Sequence, residues 1–111
     1  MSKFPKRGDV YWVNLDPTLG TEIKKRRPCV IVSPNVANEV TSRVIILPIT
    51  SSAEKVYKFQ VLIEIKGKRG KILTEQIRTI DKVRLGDKIA TLDDDSIVSM
   101  EQALKISLGL T

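Results

Sequence analysis

The chain has 111 residues, of which 41% are hydrophobic and 29% charged, a composition typical of one globular domain spanning residues 1–111. Its 19 lysine and arginine residues outnumber 13 aspartate and glutamate residues and leave a net charge of +6, which favours a polyanionic partner such as nucleic acid. No apolar run approaches the roughly 20 residues that cross a bilayer, so we expect no membrane association. The basic N-terminus lacks the apolar stretch of a secretory signal, so we expect a cytoplasmic protein.

Residue types that usually carry metal or redox chemistry are scarce. The sequence contains no histidine and one cysteine, Cys29, so it can form neither an intrachain disulfide nor a Cys/His metal site. We expect no cofactor, and we interpret Cys29 as a buried core thiol. Any acid–base chemistry must proceed without the side chain that ordinarily titrates near neutral pH.

The first half of the chain predicts three strands. Residues 9–15 are rich in β-branched and aromatic side chains and stop at the turn signal Asp16-Pro17. Residues 18–26 predict a long exposed loop, of a length that is often functional. A buried strand at 28–33 and a turn of helix at 35–39 follow, and then a strand at 44–50. Pro48 cannot donate to a ladder and should mark an edge or a bulge there.

The second half predicts a hairpin, another strand and a helix. Residues 59–65 alternate, and a turn at 66–70 leads into 71–73. Residues 76–81 alternate again and end near Gly86. Beyond the acidic run at 93–95, Ile97, Met100, Leu104 and Leu108 recur at helical spacing. Several short strands followed by one helix predict a small, mostly antiparallel β-barrel with a C-terminal α-helix.

An ordered set of segments resembles the MazF/PemK toxins. Residues 7–22 resemble the opening strand, Asp-Pro turn and Gly-x-Glu loop of that family, and residues 27–33 resemble its Arg-Pro entry into a buried strand. Residues 48–51 and 75–82 match later segments in order. The PemK branch carries an Arg-x-Asp where this chain has Leu73 and Glu75, so the resemblance favours the MazF branch.

The resemblance implies an SH3-like antiparallel β-barrel of the MazF/CcdB type and a homodimer. It also implies a toxin that is a metal-independent endoribonuclease and cleaves single-stranded RNA (mRNA) at short sequences, leaving 2′,3′-cyclic phosphate and 5′-hydroxyl ends. A cognate antitoxin, which we expect to be acidic and MazE-like, would neutralise the toxin.

The same resemblance assigns roles to particular residues. The family's catalytic arginine and threonine match Arg27 and Thr50, and a glutamate implicated with them matches Glu22. Further contacts to RNA are expected from the matching loops and the strand after them, and these residues are Thr21, Lys24, Lys25, Ser51, Ser52, Gln76 and Arg78. From their charge alone, we expect Lys24, Lys25 and Arg26 to attract phosphate diffusely without identifying a base.

Elementary chemistry is compatible with this set. RNA cleaves itself when its 2′-hydroxyl attacks the adjacent phosphate, so an enzyme needs only to hold that geometry and stabilise the developing charge. Arg27 suits charge stabilisation because a guanidinium is always charged and can make paired hydrogen bonds to phosphate. Thr50 can donate one hydrogen bond, and Glu22, if desolvated beside RNA, can accept the 2′-hydroxyl proton.

Other interpretations of these residues stay open. Arg27 can be a solvated loop charge, Thr50 an ordinary strand-end threonine, and Glu22 a surface carboxylate. Gln76 and Arg78 share one face of a strand and can contact base edges or brace the barrel.

Aromatic residues and the whole-protein function also leave alternatives. Tyr11 and Trp12 can stack on bases, although core or dimer packing is favoured for at least one of them, and Phe59 is interpreted as core. A CcdB-like toxin that poisons gyrase and a non-catalytic barrel that binds single-stranded nucleic acid are the competing functions. Cleavage of RNA in EDTA separates both from an endoribonuclease.

Overall fold

The computed structural model describes residues 4–110, which form seven strands, two α-helices and two short 3₁₀ turns. The strands are β1 (Asp9–Asn14), β2 (Arg26–Ile31), β3 (Arg43–Thr50), β4 (Gln60–Ile65), β5 (Lys68–Leu73), β6 (Arg78–Asp81) and β7 (Leu85–Thr91). The helices are α1 (Asn35–Val40) and α2 (Asp94–Ser107), and the 3₁₀ turns are Thr74–Gln76 and Lys82–Arg84.

All the strand pairings are antiparallel, and the strands follow the order β4-β5-β3-β2-β1-β7, with β6 paired to the first half of β3. Across residues 4–110, β4 and β7 form no ladder with each other, so the curled sheet is a half-barrel. The predicted mostly antiparallel β fold with a C-terminal helix is therefore confirmed.

Two apolar clusters lie on the two faces of the curled sheet. Because side chains alternate along a strand, Val30 enters one cluster and its neighbour Ile31 the other. Helix α2 covers the first cluster with Met100 and Ala103, both buried. Full burial of a side chain such as Met100 contributes about 1.5–3 kcal/mol, so the helix is held by packing. No helix within residues 4–110 is long and apolar enough to span a membrane.

The hairpin of β4 and β5 turns more tightly than the sequence suggested. Lys66 and Gly67 have φ angles of 52° and 78°, so both central residues of the turn are left-handed, as in the two-residue hairpin turns that match strand twist. Strand β5 consequently begins at Lys68, and the predicted loop of residues 66–70 is wrong in its length. The tight turn places Lys66, Lys68 and Arg69 together at the tip of the hairpin.

Two other predictions differ from the structure. Strand β7 was not predicted, because Gly86, Asp87 and Lys88 at its centre are poor strand formers that an edge strand tolerates. Pro48 marks neither an edge nor a bulge. It lies inside β3 between Ile46, the last residue paired to β6, and Ile49, the first residue paired to β5. Because Pro48 pairs with neither strand, neither ladder needs a hydrogen bond from the N–H that proline lacks.

The contact between β3 and β5 depends on a glycine. Only two residue pairs join these strands, Ile49 with Ile72 and Thr50 with Lys71. A Cβ atom at the adjacent Gly70 would lie 2.8 Å from the carbonyl oxygen of Thr50 and 3.3 Å from Cγ2 of Ile49. A residue without a side chain is therefore needed for β5 to approach β3 at the end where Thr50 lies.

Candidate active site

Arg27 and Thr50 lie at adjoining ends of β2 and β3. The ladder between the two strands ends at the pair of Cys29 and Pro48, so Arg27 and Thr50 each lie two residues beyond its last pair. Both side chains are partly exposed, and both residues line one cleft of about 530 Å³. The structure thus brings together the two residues expected to act as a pair.

Local hydrogen bonds fix both side chains. Arg27 Nε donates to the carbonyl oxygen of Lys24 at 2.9 Å, so the guanidinium is oriented by the loop before β2, and its terminal nitrogens remain available to an anion. The backbone N–H of Ser52 donates to Thr50 Oγ1 at 3.3 Å. Because the hydroxyl accepts from Ser52, its own hydrogen can be donated to a phosphate oxygen.

Arg78 shares the environment of Arg27. Burial raises the pKa of the Cys29 thiol to about 12, while the charges of Arg78 and then Arg27 act in the opposite direction. Both guanidinium groups are therefore close enough to Cys29 to act on it through space. Cys29 is fully buried, as predicted, and the two arginines lie near the same part of the second apolar cluster.

A second cleft of about 370 Å³ contains the expected glutamate. It is lined by Thr21, Glu22, Gln76 and Arg78, among others. The Glu22 side chain is exposed, and its carboxylate accepts a hydrogen bond of 2.6 Å from the backbone N–H of Leu19. Glu22 does not line the cleft that Arg27 and Thr50 share. The expected catalytic residues are thus divided between two clefts.

Gln76 and Arg78 hold the loop between β1 and β2. Gln76 Oε1 accepts from the backbone N–H of Ile23 at 2.8 Å, and Arg78 Nη1 donates to the carbonyl oxygen of Leu15 at 3.0 Å. Their side chains therefore brace the loop that carries Glu22, whatever else they contact.

The other residues expected to contact RNA lie at exposed positions beside the clefts. Lys24 and Lys25 are exposed in the loop, and Lys25 has a φ of 72°. Ser51 and Ser52 are exposed directly after Thr50, and Ser51 lines the first cleft. The Ser52 hydroxyl donates to Glu54 at 3.1 Å.

The aromatic side chains differ in their surroundings. Tyr11 packs against the second apolar cluster, and burial, followed by the nearby charge of Asp9, raises its pKa. The guanidinium carbon of Arg26 lies 4.7 Å from the centre of the Trp12 ring, which lines the first cleft. Phe59 is partly buried and stacks in parallel on Tyr57 at 5.3 Å.

Sequence reasoning missed the arrangement of Arg26 and Trp12. It gave Arg26 only a diffuse attraction to phosphate. The pairing of Trp12 with Pro28 makes Arg26 its diagonal neighbour, a relation that requires the register of β1 and β2 and cannot be derived from either strand alone.

The described residues offer no obvious place for a metal ion. Within residues 4–110, no three His, Cys, Asp or Glu side chains form a group that could hold one.

Comparisons with known proteins identify the family. A family profile described as PemK-like, MazF-like toxin of type II toxin–antitoxin systems matches residues 6–108. The chain is 41% identical to the endoribonuclease EndoA of Bacillus subtilis (strain 168), covering 95% of each chain. The chain belongs to this toxin family, as its sequence predicted.

Solved structures agree with that assignment. The chain is similar to MazF from Deinococcus radiodurans, with a TM-score of 0.86, 30% identity and coverage of 97% of this chain and 99% of that one. It is also similar to an endoribonuclease in complex with its cognate antitoxin from a mycobacterial species, with a TM-score of 0.81, 26% identity and coverage of 96% and 97%. The predicted fold type is thereby confirmed.

The buried thiol gives a prediction for chemical modification. At pH 9 a thiol with its ordinary pKa of 9.0 is half ionised, whereas at a pKa of about 12 the thiolate fraction is roughly one thousandth. We expect iodoacetamide to alkylate native Cys29 at least about 100-fold more slowly than the protein unfolded in guanidinium. Equal rates in the two states would contradict the burial.

The same pKa shift fixes the direction of a stability effect. The folded state binds the thiol proton more tightly than the unfolded state. The free energy of unfolding that this difference contributes is therefore fully present below about pH 9 and is lost as the pH rises towards 12. A Cys29→Ala variant serves as the control. Because it has no thiol to titrate, its free energy of unfolding should fall less than the parent's as the pH rises above 9.

Proposed function

We propose that the protein is the endoribonuclease toxin of a toxin–antitoxin pair, and that it cleaves single-stranded RNA in the cytoplasm at specific sequences. The observation that carries the proposal is the single cleft that Arg27 and Thr50 both line, at adjoining ends of β2 and β3. The names of the relatives support the class of activity. They do not favour a gyrase poison or a non-catalytic barrel.

The proposed reaction needs no metal. The RNA 2′-oxygen attacks the adjacent phosphorus, the bond from phosphorus to the 5′-oxygen breaks, and the products carry a 2′,3′-cyclic phosphate and a 5′-hydroxyl. The guanidinium of Arg27 stabilises the negative charge on the phosphorane oxygens, each charged hydrogen bond contributing about 1.5–3 kcal/mol. The Thr50 hydroxyl donates to a phosphate oxygen and so fixes the position of the reacting phosphate.

Proton transfer is assigned to Glu22. Its carboxylate accepts the proton from the 2′-hydroxyl, and the leaving 5′-oxygen takes a proton from a water molecule. The hydroxide so formed is neutralised by the proton on Glu22, which restores the carboxylate. Because the loop of Glu22 is anchored by Gln76 and Arg78, its position relative to Arg27 depends on the 3₁₀ turn at Thr74–Gln76 and on β6. Thr21, Lys24, Lys25, Ser51 and Ser52 would contact the RNA beside the reacting phosphate, together with Gln76 and Arg78.

Two partners complete the proposal. An acidic, MazE-like antitoxin fits the charge of +6, and the solved mycobacterial relative is in complex with its antitoxin. A homodimer would cover Val36, Val40 and Val83, which are 77%, 75% and 87% exposed. Helix α1 and the 3₁₀ turn at Lys82–Arg84 are adjacent, since Lys82 N donates to Ser42 O at 2.9 Å, so these valines can form one apolar surface.

The first prediction concerns the two residues at the cleft. Arg27→Ala and Thr50→Ala should each lower kcat on a defined RNA in EDTA by about 100- to 1,000-fold, because each removes a group that stabilises or positions the reacting phosphate. Mapping of product ends by sequencing and mass spectrometry measures rate, site and end chemistry together. Arg43→Ala, which removes an exposed arginine at the far end of β3, is the matched control and should cleave normally.

A parent protein that leaves RNA intact in EDTA would overturn the proposed function. An Arg27→Ala variant that cleaves as fast as the parent would overturn the assignment of that residue. Unchanged thermal unfolding in both variants separates loss of chemistry from loss of fold.

The second prediction tests Glu22. Glu22→Gln keeps the size of the side chain but cannot accept a proton, so kcat on a defined RNA should fall by about 100-fold or more. Single-turnover cleavage rates of the two proteins make this comparison. A variant that cleaves as fast as the parent would show that another group accepts the proton.

A further inference from the structure

Arg26 stands at the same cleft as Arg27 and has no role in the proposed reaction. It precedes Arg27 at the start of β2, and alternation along the strand turns the two side chains to opposite faces. The register of β1 and β2 sets Pro28 opposite Trp12 and Arg26 opposite Asn14. Arg26 therefore shares the face of Trp12, whereas Arg27 shares the face of Cys29.

The Arg26 guanidinium is held between two neighbours. Its central carbon lies 4.7 Å from the centre of the Trp12 ring. On β7, a Cβ atom at Gly86 would come within 3.2 Å of Arg26 Nη2 and within 3.3 Å of Trp12 Cβ, so the absence of a side chain there leaves room for the pair. A long side chain fixed in this way loses less conformational entropy when it binds a ligand.

No carboxylate neutralises this fixed charge. In the stretch from residue 4 to 110, the two ion pairs join Arg7 to Glu101 and Lys88 to Asp9, and Arg26 takes part in neither. The side chain is exposed. Its donors are therefore available to an anion from outside the protein.

The cleft beside Arg26 combines a basic rim with an apolar floor. The rim carries Lys66, Lys68 and Arg69 from the hairpin, and no acidic residue lines the cleft. The floor is built from four aliphatic side chains, which are Ile49, Ile63, Ile65 and Ile89. Cations suit phosphates, and an aliphatic floor suits the faces of a ribose or an unstacked base. Arg27, Thr50 and Ser51 line the same cleft, so an RNA strand held there can continue along it.

We propose that Arg26, stacked on Trp12, binds the RNA phosphate next to the scissile phosphate, and that the strand continues over the apolar floor past Lys68 and Arg69. Cα atoms of consecutive residues are ~3.8 Å apart, so the side chains of Arg26 and Arg27 diverge from nearly one point towards neighbouring phosphates. The inference rests on the proposed function, since it takes RNA as the substrate and Arg27 as the ligand of the scissile phosphate. Arg26 binds substrate and takes no part in bond breaking.

The first test measures binding alone. The probe is a fluorescent single-stranded RNA containing the mapped cleavage site, with a 2′-deoxyribose at the scissile position so that it cannot be cut. Arg26→Ala should bind it about ten-fold more weakly than the parent, and the slope of log K against log salt should fall by about 0.7, the value for one phosphate contact on a single strand. Arg43→Ala removes an equal charge and should leave both quantities near the parent's.

The second test separates binding from chemistry. On cleavable RNA, Arg26→Ala should raise KM about ten-fold with kcat unchanged, whereas Arg27→Ala lowers kcat. A short RNA that lacks the neighbouring phosphate should show no effect of Arg26→Ala. Arg26→Lys keeps the charge but not the planar stack, so its salt slope should match the parent's while its affinity is intermediate.

A third variant tests the stack itself. Trp12→Leu should weaken RNA binding about three-fold, and the loss should vanish in the Arg26→Ala background, because the ring acts through the guanidinium. Thermal unfolding of each variant identifies any loss of fold. Additive losses in the double variant would contradict the stacking role.

Several outcomes would overturn the inference. Arg26→Ala could bind RNA with the affinity and salt slope of Arg43→Ala, or it could lower kcat with KM unchanged. Loss of binding to an acidic, apolar peptide with RNA binding intact would assign the cleft to a protein partner instead. Failure of the parent to cleave RNA defeats the proposed function. The salt slope on a mixed-sequence single-stranded RNA, which needs no mapped site, then decides whether Arg26 contacts phosphate.

Discussion

The register between β2 and β3 is the constraint on which the candidate site depends. A shift by one residue would turn every side chain of one strand to the other face. The side chains of Arg27 and Thr50 would then point to opposite faces of the sheet. The register is held by burial, since Val30 and Leu47 enter one apolar cluster while Cys29, Ile31 and Ile46 enter the other. The free energy of core packing is thus also what positions the proposed chemistry.

A single strand end supplies two arginines with different surroundings. Arg27 is oriented by a hydrogen bond to Lys24 and lies near the buried Cys29, whereas Arg26 is held on Trp12 over a cleft with an aliphatic floor. Alternation along β2 is sufficient to separate their roles. The loop before them depends on another part of the chain, because Gln76 and Arg78 hold it from the β6 side.

The sequence predicted those features that follow from local periodicity. Strand β1, the hairpin and helix α2 each have a regular apolar pattern, and all are present. Strand β7 was missed because it is an edge strand whose centre, Gly86 to Lys88, has no apolar alternation. The pair of Arg27 and Thr50 came from resemblance, since no local pattern joins residues so far apart. The contact of Arg26 with Trp12, and the separation of Glu22 into another cleft, required the register and loop anchors that only the folded chain supplies.

Within the β4–β5 hairpin, Gly70 and the residues at the tip differ in how far they tolerate substitution. Its contact with the carbonyl of Thr50 closes that position to any side chain, while Lys68 and Arg69 beside it are exposed and fill no core space. Substitutions at the tip can therefore alter the charge along the cleft without moving the threonine. Such a division allows substrate preference to diverge during evolution while the reaction geometry is conserved.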